Sequence, residues 1–194
     1  ETVEEQAKGP LLNPVEHGIP DDKYLVDKLK EIPEYQDMFK KAYPSQADPI
    51  TFDNIAGAIG AFERQLAPVS RFDKYLDGDD TALTQKEKEG LKDFMDAKCT
   101  ICHNGVAIGG GLFQKFGLYG NYYKETKSKT VDNGLYDLTK NEQDKYFFKV
   151  PSLRNVEKTA PYFHDGSVSD LKQVIRIMGK LQQNIDLNDQ QIDN

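Results

Sequence analysis

Cys99-Thr100-Ile101-Cys102-His103 gathers the residue types in this chain that could do covalent or metal chemistry. It contains both cysteines of the 194-residue sequence and one of its three histidines. C-x-x-C-H is the attachment spacing of a c-type haem. Thiols three positions apart on one turn can each form a thioether to a vinyl group, and the adjacent imidazole then lies under the iron as proximal ligand. A zinc site would need two more soft ligands, and no other cysteine remains. A thioredoxin-like pair would follow a strand in a βαβ pattern, which the sequence does not show. Covalent haem on Cys99 and Cys102, with His103 on the iron, is the reading.

A second axial ligand is expected from a thioether, the common partner of His in electron-transfer haems. The chain has three methionines, Met38, Met95 and Met178. Met95 lies on the same helix as Cys99, four residues earlier, and cannot easily cross to the other haem face. Met38 belongs to the early helices. Met178 shares the inner face of a helix with Val168, Leu171, Val174 and Ile175 at helical spacing, which makes it the best choice on geometry. Without a haem, the same methionine would read as a gap-filling core residue.

The elements that must position these groups are mostly helical. Residues 1–20 read as a turn-rich lead-in, with Gly9-Pro10, Asn13-Pro14, Gly18 and Pro20. Gln6, Glu16 and His17 stand out there, though by themselves they read as surface polarity. Helices are expected over 21–32 and 33–43, and a third capped by Thr51 or Asp53, with Ile55, Ile59, Phe62 and Leu66 on one face. Gly57 and Gly60 in that helix suit close backbone approach. Residues 68–80 read as a connection. Thr84-Gln85-Lys86-Glu87 is a capping box opening a helix that runs into Cys99. Gly105 and Gly109-Gly110-Gly111 follow as a loop without the strand or lysine of a phosphate loop. Phe113, Phe116, Tyr119, Tyr122 and Tyr123 read as haem or core packing, and 124–145 as a polar surface loop. Ser167, with Asp170 three residues on, is expected to cap the Met178 helix. Asn188 opens a last helix that is cut off after barely a turn and would be unstable in isolation.

Composition narrows the function. A net charge of −7 and a pI of about 5.0 disfavour nucleic-acid binding. No apolar run is long enough to span a membrane. Hydrophobic content is 38%, so a haem would supply part of the core. The chain starts at Glu1 rather than Met, which reads as a processed or excised product. Haem attachment of this type implies maturation outside the bacterial cytoplasm, so a periplasmic location is expected.

Two further stretches carry a family resemblance. Phe148-Lys149-Val150-Pro151-Ser152-Leu153-Arg154-Asn155-Val156 and Thr159-Ala160-Pro161-Tyr162-Phe163-His164-Asp165-Gly166-Ser167 closely resemble bacterial di-haem cytochrome c peroxidases, of the MauG/cytochrome c peroxidase superfamily, and the similarity runs through nearly the whole chain. The resemblance implies a mainly α fold: a class I cytochrome c-like helical haem domain over 71–194, its last helix truncated, and the back half of a peroxidatic-haem domain over about 1–70, with long loops. It matches Cys99, Cys102, His103 and Met178 to the family's electron-transfer haem. MauG-like relatives carry tyrosine at the methionine position, so Met178 favours the peroxidase branch. It also gives the lead-in a meaning. Glu4-Glu5-Gln6-Ala7 and Asn13-Pro14-Val15-Glu16 resemble the lining of the peroxidatic pocket, where the glutamate acts as acid/base and the glutamine positions peroxide. Calcium bound through the Thr159 and Pro161 carbonyls is implied as well. The departure from the pattern is one C-x-x-C-H where the family has two, and no tryptophan; the portion carrying the catalytic haem is not within these residues.

The expected function is therefore part of a periplasmic peroxidase that reduces hydrogen peroxide to water with electrons from a small cytochrome c or cupredoxin. One haem c belongs to this chain and a second to the parent protein. A second copy of the chain is a further candidate partner. The competing readings are a mono-haem electron carrier without peroxidase activity and a MauG-like oxidase. Gln6 and Glu16 speak against the carrier, and Met178 against the oxidase.

Overall fold

Among the described helices of eight residues or more, all but the one opened by Pro33 start where the sequence supplies a side-chain acceptor for the first free amides. The computed structural model describes residues 2–66 and 69–194. These divide into one compact unit up to Lys74 and another from Tyr75, and α5 (Arg71–Leu76) crosses the boundary. Pro68, where the connection was expected to begin, lies outside the described residues.

In the first unit, α1 (Val3–Leu12) replaces the expected turn-rich lead-in. The reason is a capping box. Thr2 Oγ1 accepts from the Glu5 amide at 3.2 Å, and Glu5 Oε2 accepts from the Thr2 amide at 2.8 Å. Pro10 lies inside the helix, in its last turn, where it removes only the amide that would meet the Gln6 carbonyl. Asp21 caps α2 (Asp22–Lys30), Pro33 opens α3 (Pro33–Ala42), and Thr51 caps α4 (Phe52–Glu63). Phe39, Ile50 and Ile55 are buried together, with Leu25, Val26, Leu29, Tyr43 and Ile59 packed around them. The glycines of α4 do what their size allows. A Cβ on Gly60 would sit 3.0 Å from Glu4 Oε1 and 3.1 Å from Val3 Cγ2, so Gly60 lets α1 lie close against α4. Two ion pairs flank that contact, Lys8–Asp53 and Glu4–Arg64, each at 2.5 Å. The Arg64 guanidinium holds the Glu4 carboxyl down to about 2.

In the second unit, the Thr84/Glu87 capping box opens α6 (Gln85–Asp96) as expected. Strand β1 (Phe113–Lys115) pairs antiparallel with β2 (Phe147–Lys149), setting Gln114 opposite Phe148. Between them lie α7 (Tyr122–Glu125) and α8 (Tyr136–Thr139), so 124–145 is more ordered than a surface loop, and Thr126 within it is buried. The helix that carries Met178, α9 (Leu171–Met178), begins three residues later than expected. Its cap is Asp170 rather than Ser167, because Val168 is held extended in a bridge to Tyr162, whose amide donates to the Val168 carbonyl at 2.6 Å. Beyond Met178 the chain widens into a π-helical turn, Gly179–Gln183. The short α10 (Asp189–Asp193) is kept by tertiary contact: Ile192 is buried, and Asn194 Nδ2 donates to Asp93 of α6 at 3.0 Å. Gly90 of α6 admits it, since a Cβ there would stand 2.6 Å from the Asn194 carbonyl oxygen.

The core of this unit is Phe116, Tyr122, Val168, Ile177 and Leu181, with Tyr123, Tyr146, Phe148, Phe163, Val174 and Met178 packed on it. Tyr122 is 1% exposed, and its hydroxyl donates to the Asp132 carbonyl (2.7 Å) while accepting from the Asp132 amide (2.9 Å). Tyr122→Phe leaves both of those backbone groups without their partner. It should lower unfolding free energy by about 1–3 kcal/mol in denaturant titration of the haem-loaded protein, with the m-value unchanged.

Candidate haem attachment site

The attachment motif does not continue α6. The helix stops at Asp96, Lys98 takes a left-handed conformation (φ 61°), and Cys99–Ile101 form a single 3-10 turn. The turn is closed by the Cys102 and His103 amides donating to the Cys99 carbonyl at 3.3 and 3.0 Å. Asn104 Nδ2 then donates to the Thr100 and Ile101 carbonyls at 3.2 and 3.1 Å. These bonds hold both sulfurs and the imidazole on one rigid turn.

Both cysteines are free thiols, standing where thioether sulfurs would be. Burial pushes the Cys99 thiol up, the opposite of the lowered value that activates a redox C-x-x-C pair. Burial also holds His103 below the ordinary imidazole value, outweighing the nearby backbone of Ile108 and Pro151, which favours the protonated ring. A neutral ring is the form that ligates a metal. Its Nδ1 is buried and completes no hydrogen bond of normal geometry, although that backbone lies beside it. An imidazole whose Nδ1–H points at backbone carbonyls presents Nε2 as the ligand. Large apolar side chains within and after the motif are exposed, including Ile101 at 61% and Val106 at 87%. Two thiols on one turn, a half-buried imidazole held below its ordinary value and exposed apolar neighbours fit a covalently held haem. Among the described residues, no group of three or more His, Cys, Asp or Glu could hold a metal ion in its place.

The wall beneath His103 is the Val150-Pro151-Ser152-Leu153-Arg154 stretch. The Gly110 amide donates to the Val150 carbonyl at 2.8 Å, Ser152 Oγ to the Ala107 carbonyl at 2.5 Å, and Arg154 Nε to the Val106 carbonyl at 2.6 Å. The Leu153 amide donates to the Ile108 carbonyl at 3.1 Å. Gly109 (φ 131°) makes the contact possible, because a Cβ there would lie 2.1 Å from the Pro151 carbonyl oxygen and 3.3 Å from His103 Nδ1.

Met178 sits at the junction of α9 with the π-helical turn and packs on the aromatic core. Two glutamines without any sequence pattern connect it to the motif. Gln114 Nε2 lies 4.0 Å from Cys102 Sγ. Gln182, in the π-helical turn, accepts from the Gly117 and Leu118 amides (2.7 and 3.3 Å) and donates to the Lys115 carbonyl at 2.9 Å. The end of β1 is thus fastened to the turn that follows Met178.

The other expected residues belong to other segments of the chain. Gln6 is exposed on α1, and Glu16 is exposed in the turn after it. That turn is closed by the Glu16 and Gly18 amides donating to the Asn13 carbonyl (3.0 and 2.9 Å), and His17 Nδ1 lies 3.1 Å from the Pro10 carbonyl oxygen. Thr159 and Pro161 are exposed in the segment leading to Tyr162. Met38 and Met95 are exposed, on α3 and α6.

A mainly helical fold with a cytochrome c-like haem turn defines the class, and comparison with known proteins agrees. The sequence profile described as di-haem cytochrome c peroxidase matches residues 1–81. Cytochrome c551 peroxidase of Pseudomonas aeruginosa is 46% identical over 92% of this chain and 51% of its own length. The protein of that name from Nitrosomonas europaea is 43% identical over 98% and 55%. A solved structure of a MauG-like protein associated with microbial copper homeostasis superposes with a TM-score of 0.83 at 31% identity, over 99% of this chain and 66% of that one. The chain belongs to the superfamily of di-haem cytochrome c peroxidases and MauG, and it spans about half the length of the curated relatives it matches.

Gly109→Ala forces the Pro151 backbone away from His103, so the haem-loaded protein should carry markedly less covalent haem per chain. A pyridine haemochrome assay against total protein checks this, and wild-type haem content would count against the cradle.

Proposed function

We propose that this chain is the electron-transfer part of a di-haem cytochrome c peroxidase, with haem c on Cys99 and Cys102 and its iron held by His103 and Met178. The observation that carries the reading is the hydrogen-bonded Cys99–His103 turn with its half-buried imidazole, tied through Gln114 and Gln182 to the helix of Met178. The haem, when bound, supplies a one-electron couple. The chain's residues do the rest: the thiols fix the group covalently, the wall from Val150 to Arg154 keeps His103 oriented, and the aromatic core seats Met178. With Met178 and His103 both holding the iron, the thioether would raise the potential, which would suit accepting electrons better than binding peroxide.

Peroxide chemistry belongs, in this reading, to a second haem in the parent protein. Glu16 would take the proton from the proximal peroxide oxygen and return it to the leaving oxygen, and Gln6 would position the substrate. Their exposure in this chain leaves both free to face such a site. A small cytochrome c or cupredoxin is the donor, hydrogen peroxide the substrate, and the periplasm the location. The Thr159 and Pro161 carbonyls suit calcium as hard donors, but they are only part of the six to eight oxygens it takes. No described helix is long and apolar enough to cross a membrane. The mono-haem carrier remains the competing reading.

In the two-haem protein, Met178→Ala should abolish the sulfur-to-iron charge-transfer band of the oxidised haem. If Met38→Ala abolished it instead, the ligand assignment would be wrong. Glu16→Gln should lower peroxide turnover by about 10²–10⁴ with that band intact. Steady-state kinetics with separately measured donor-to-haem transfer provides the test, and an unchanged peroxide rate would favour the mono-haem carrier.

A further inference from the structure

We propose that His164 is a positioning residue for the Met178 thioether, acting through its pairing with Asp132 and its stacking in the aromatic core. The inference rests on the haem reading above and adds to it a residue remote from the attachment turn. Phe163, just before His164, is non-glycine in the left-handed region (φ 66°). Such a backbone persists only where its surroundings fix it. What fixes it here is the pair of rings the turn delivers. Phe163 packs on Phe116 at 5.1 Å between centroids. The His164 ring lies flat on Phe148 (4.1 Å, 19°) and meets Tyr122 edge-on at 5.4 Å and Phe116 edge-on at 6.4 Å. Only 22% of the His164 side chain is exposed.

Those three rings lead to both ends of the proposed ligand set. Phe116 and Tyr122 belong to the buried cluster on which Met178 packs, and Phe148 packs on the same cluster. Phe148 is also the strand partner of Gln114, whose amide approaches Cys102 Sγ. A residue that fixes Phe148 and Tyr122 therefore fixes the surface from which the thioether must reach.

His164 is more than another ring in the stack because of its polar edge. Its Nε2 lies 3.9 Å from Asp132 Oδ2. Asp132 cannot drift: its amide and carbonyl both bind the Tyr122 hydroxyl, and its Oδ1 accepts from the Gly134 amide at 2.7 Å. The carboxylate is an anchored charge that faces the imidazole edge. Asp165 is held by the Ser167 amide at 3.1 Å, and its carboxylate is a second negative charge near His164. A phenylalanine at 164 would keep the stack and lose the anchor.

The test uses the haem-loaded two-haem protein and reads exogenous imidazole displacing the thioether, followed as loss of the sulfur-to-iron band, which reports only the sulfur-ligated iron. His164→Phe and Asp132→Asn should each raise the apparent imidazole affinity about two- to tenfold and lower the potential of that haem. The double variant should go no further than either single one. Covalent haem content and helical circular dichroism should stay at wild-type levels, which separates loss of positioning from loss of fold. Wild-type imidazole affinity in both single variants would overturn the proposal while leaving the ligand assignment standing. If His164→Phe does not load haem, Asp132→Asn decides alone, since it keeps the side-chain shape and removes only the charge. Retention of the band in Met178→Ala would instead remove the ligand assignment, and the proposal with it.

Discussion

The pairing of Gln114 with Phe148 is the contact on which the second unit depends. It is a short ribbon, β1 against β2, and it would be marginal alone. It survives because each strand is fastened elsewhere. β1 is held at its end by Gln182, and β2 runs directly into the Val150–Arg154 stretch that underlies His103. The ribbon thereby puts a loop-borne turn and a helix-borne methionine on one frame, although Cys102 and Met178 are far apart in sequence. Remove the pairing and the motif keeps its local geometry, held by bonds to the Cys99 carbonyl, but loses its relation to α9.

What could be read from the sequence was what local rules govern. The Thr84–Glu87 capping box, the Thr51 cap and the close approach permitted by Gly60 all depend on near neighbours or on one residue's size, whereas the left-handed Lys98 that separates the C-x-x-C-H turn from its helix has no such signal. The departures also have local causes. Gly9-Pro10 and Asn13-Pro14 are turn signals in the lead-in, but the Thr2–Glu5 box outweighs them, since a proline late in a helix costs little more than one amide. Ser167-x-x-Asp170 resembles a cap for the Met178 helix without being one. A bridge from Tyr162 to Val168, a contact no local pattern announces, kept that segment extended.

Gln114 and Gln182 show why the rest was not legible. A lone glutamine has no periodicity and no partner in sequence, and its role comes entirely from where the fold leaves unpaired backbone groups. The Gly117 and Leu118 amides and the Lys115 carbonyl lie where the chain leaves β1 before α7, without a regular partner. One side-chain amide, donor and acceptor at once, satisfies all of them. The same holds for Tyr122, whose single hydroxyl serves both the amide and the carbonyl of Asp132.

The state of His103 follows from this arrangement more than from the motif. On an exposed turn, an imidazole beside two thiols would spend part of its time protonated near neutral pH and would be a poor metal ligand. Here the Pro151 backbone and the loop through Gly109 cover the ring, and burial disfavours its charged form more than the nearby carbonyls favour it. The carbonyls still matter, because a ring that keeps its hydrogen on Nδ1, toward them, would leave Nε2 for a metal. Sequence supplies the imidazole, while the tertiary wall lowers its tendency to charge and fixes its aim. The glycine at 109 is the point where the two meet, since any larger residue would separate the wall from the ring.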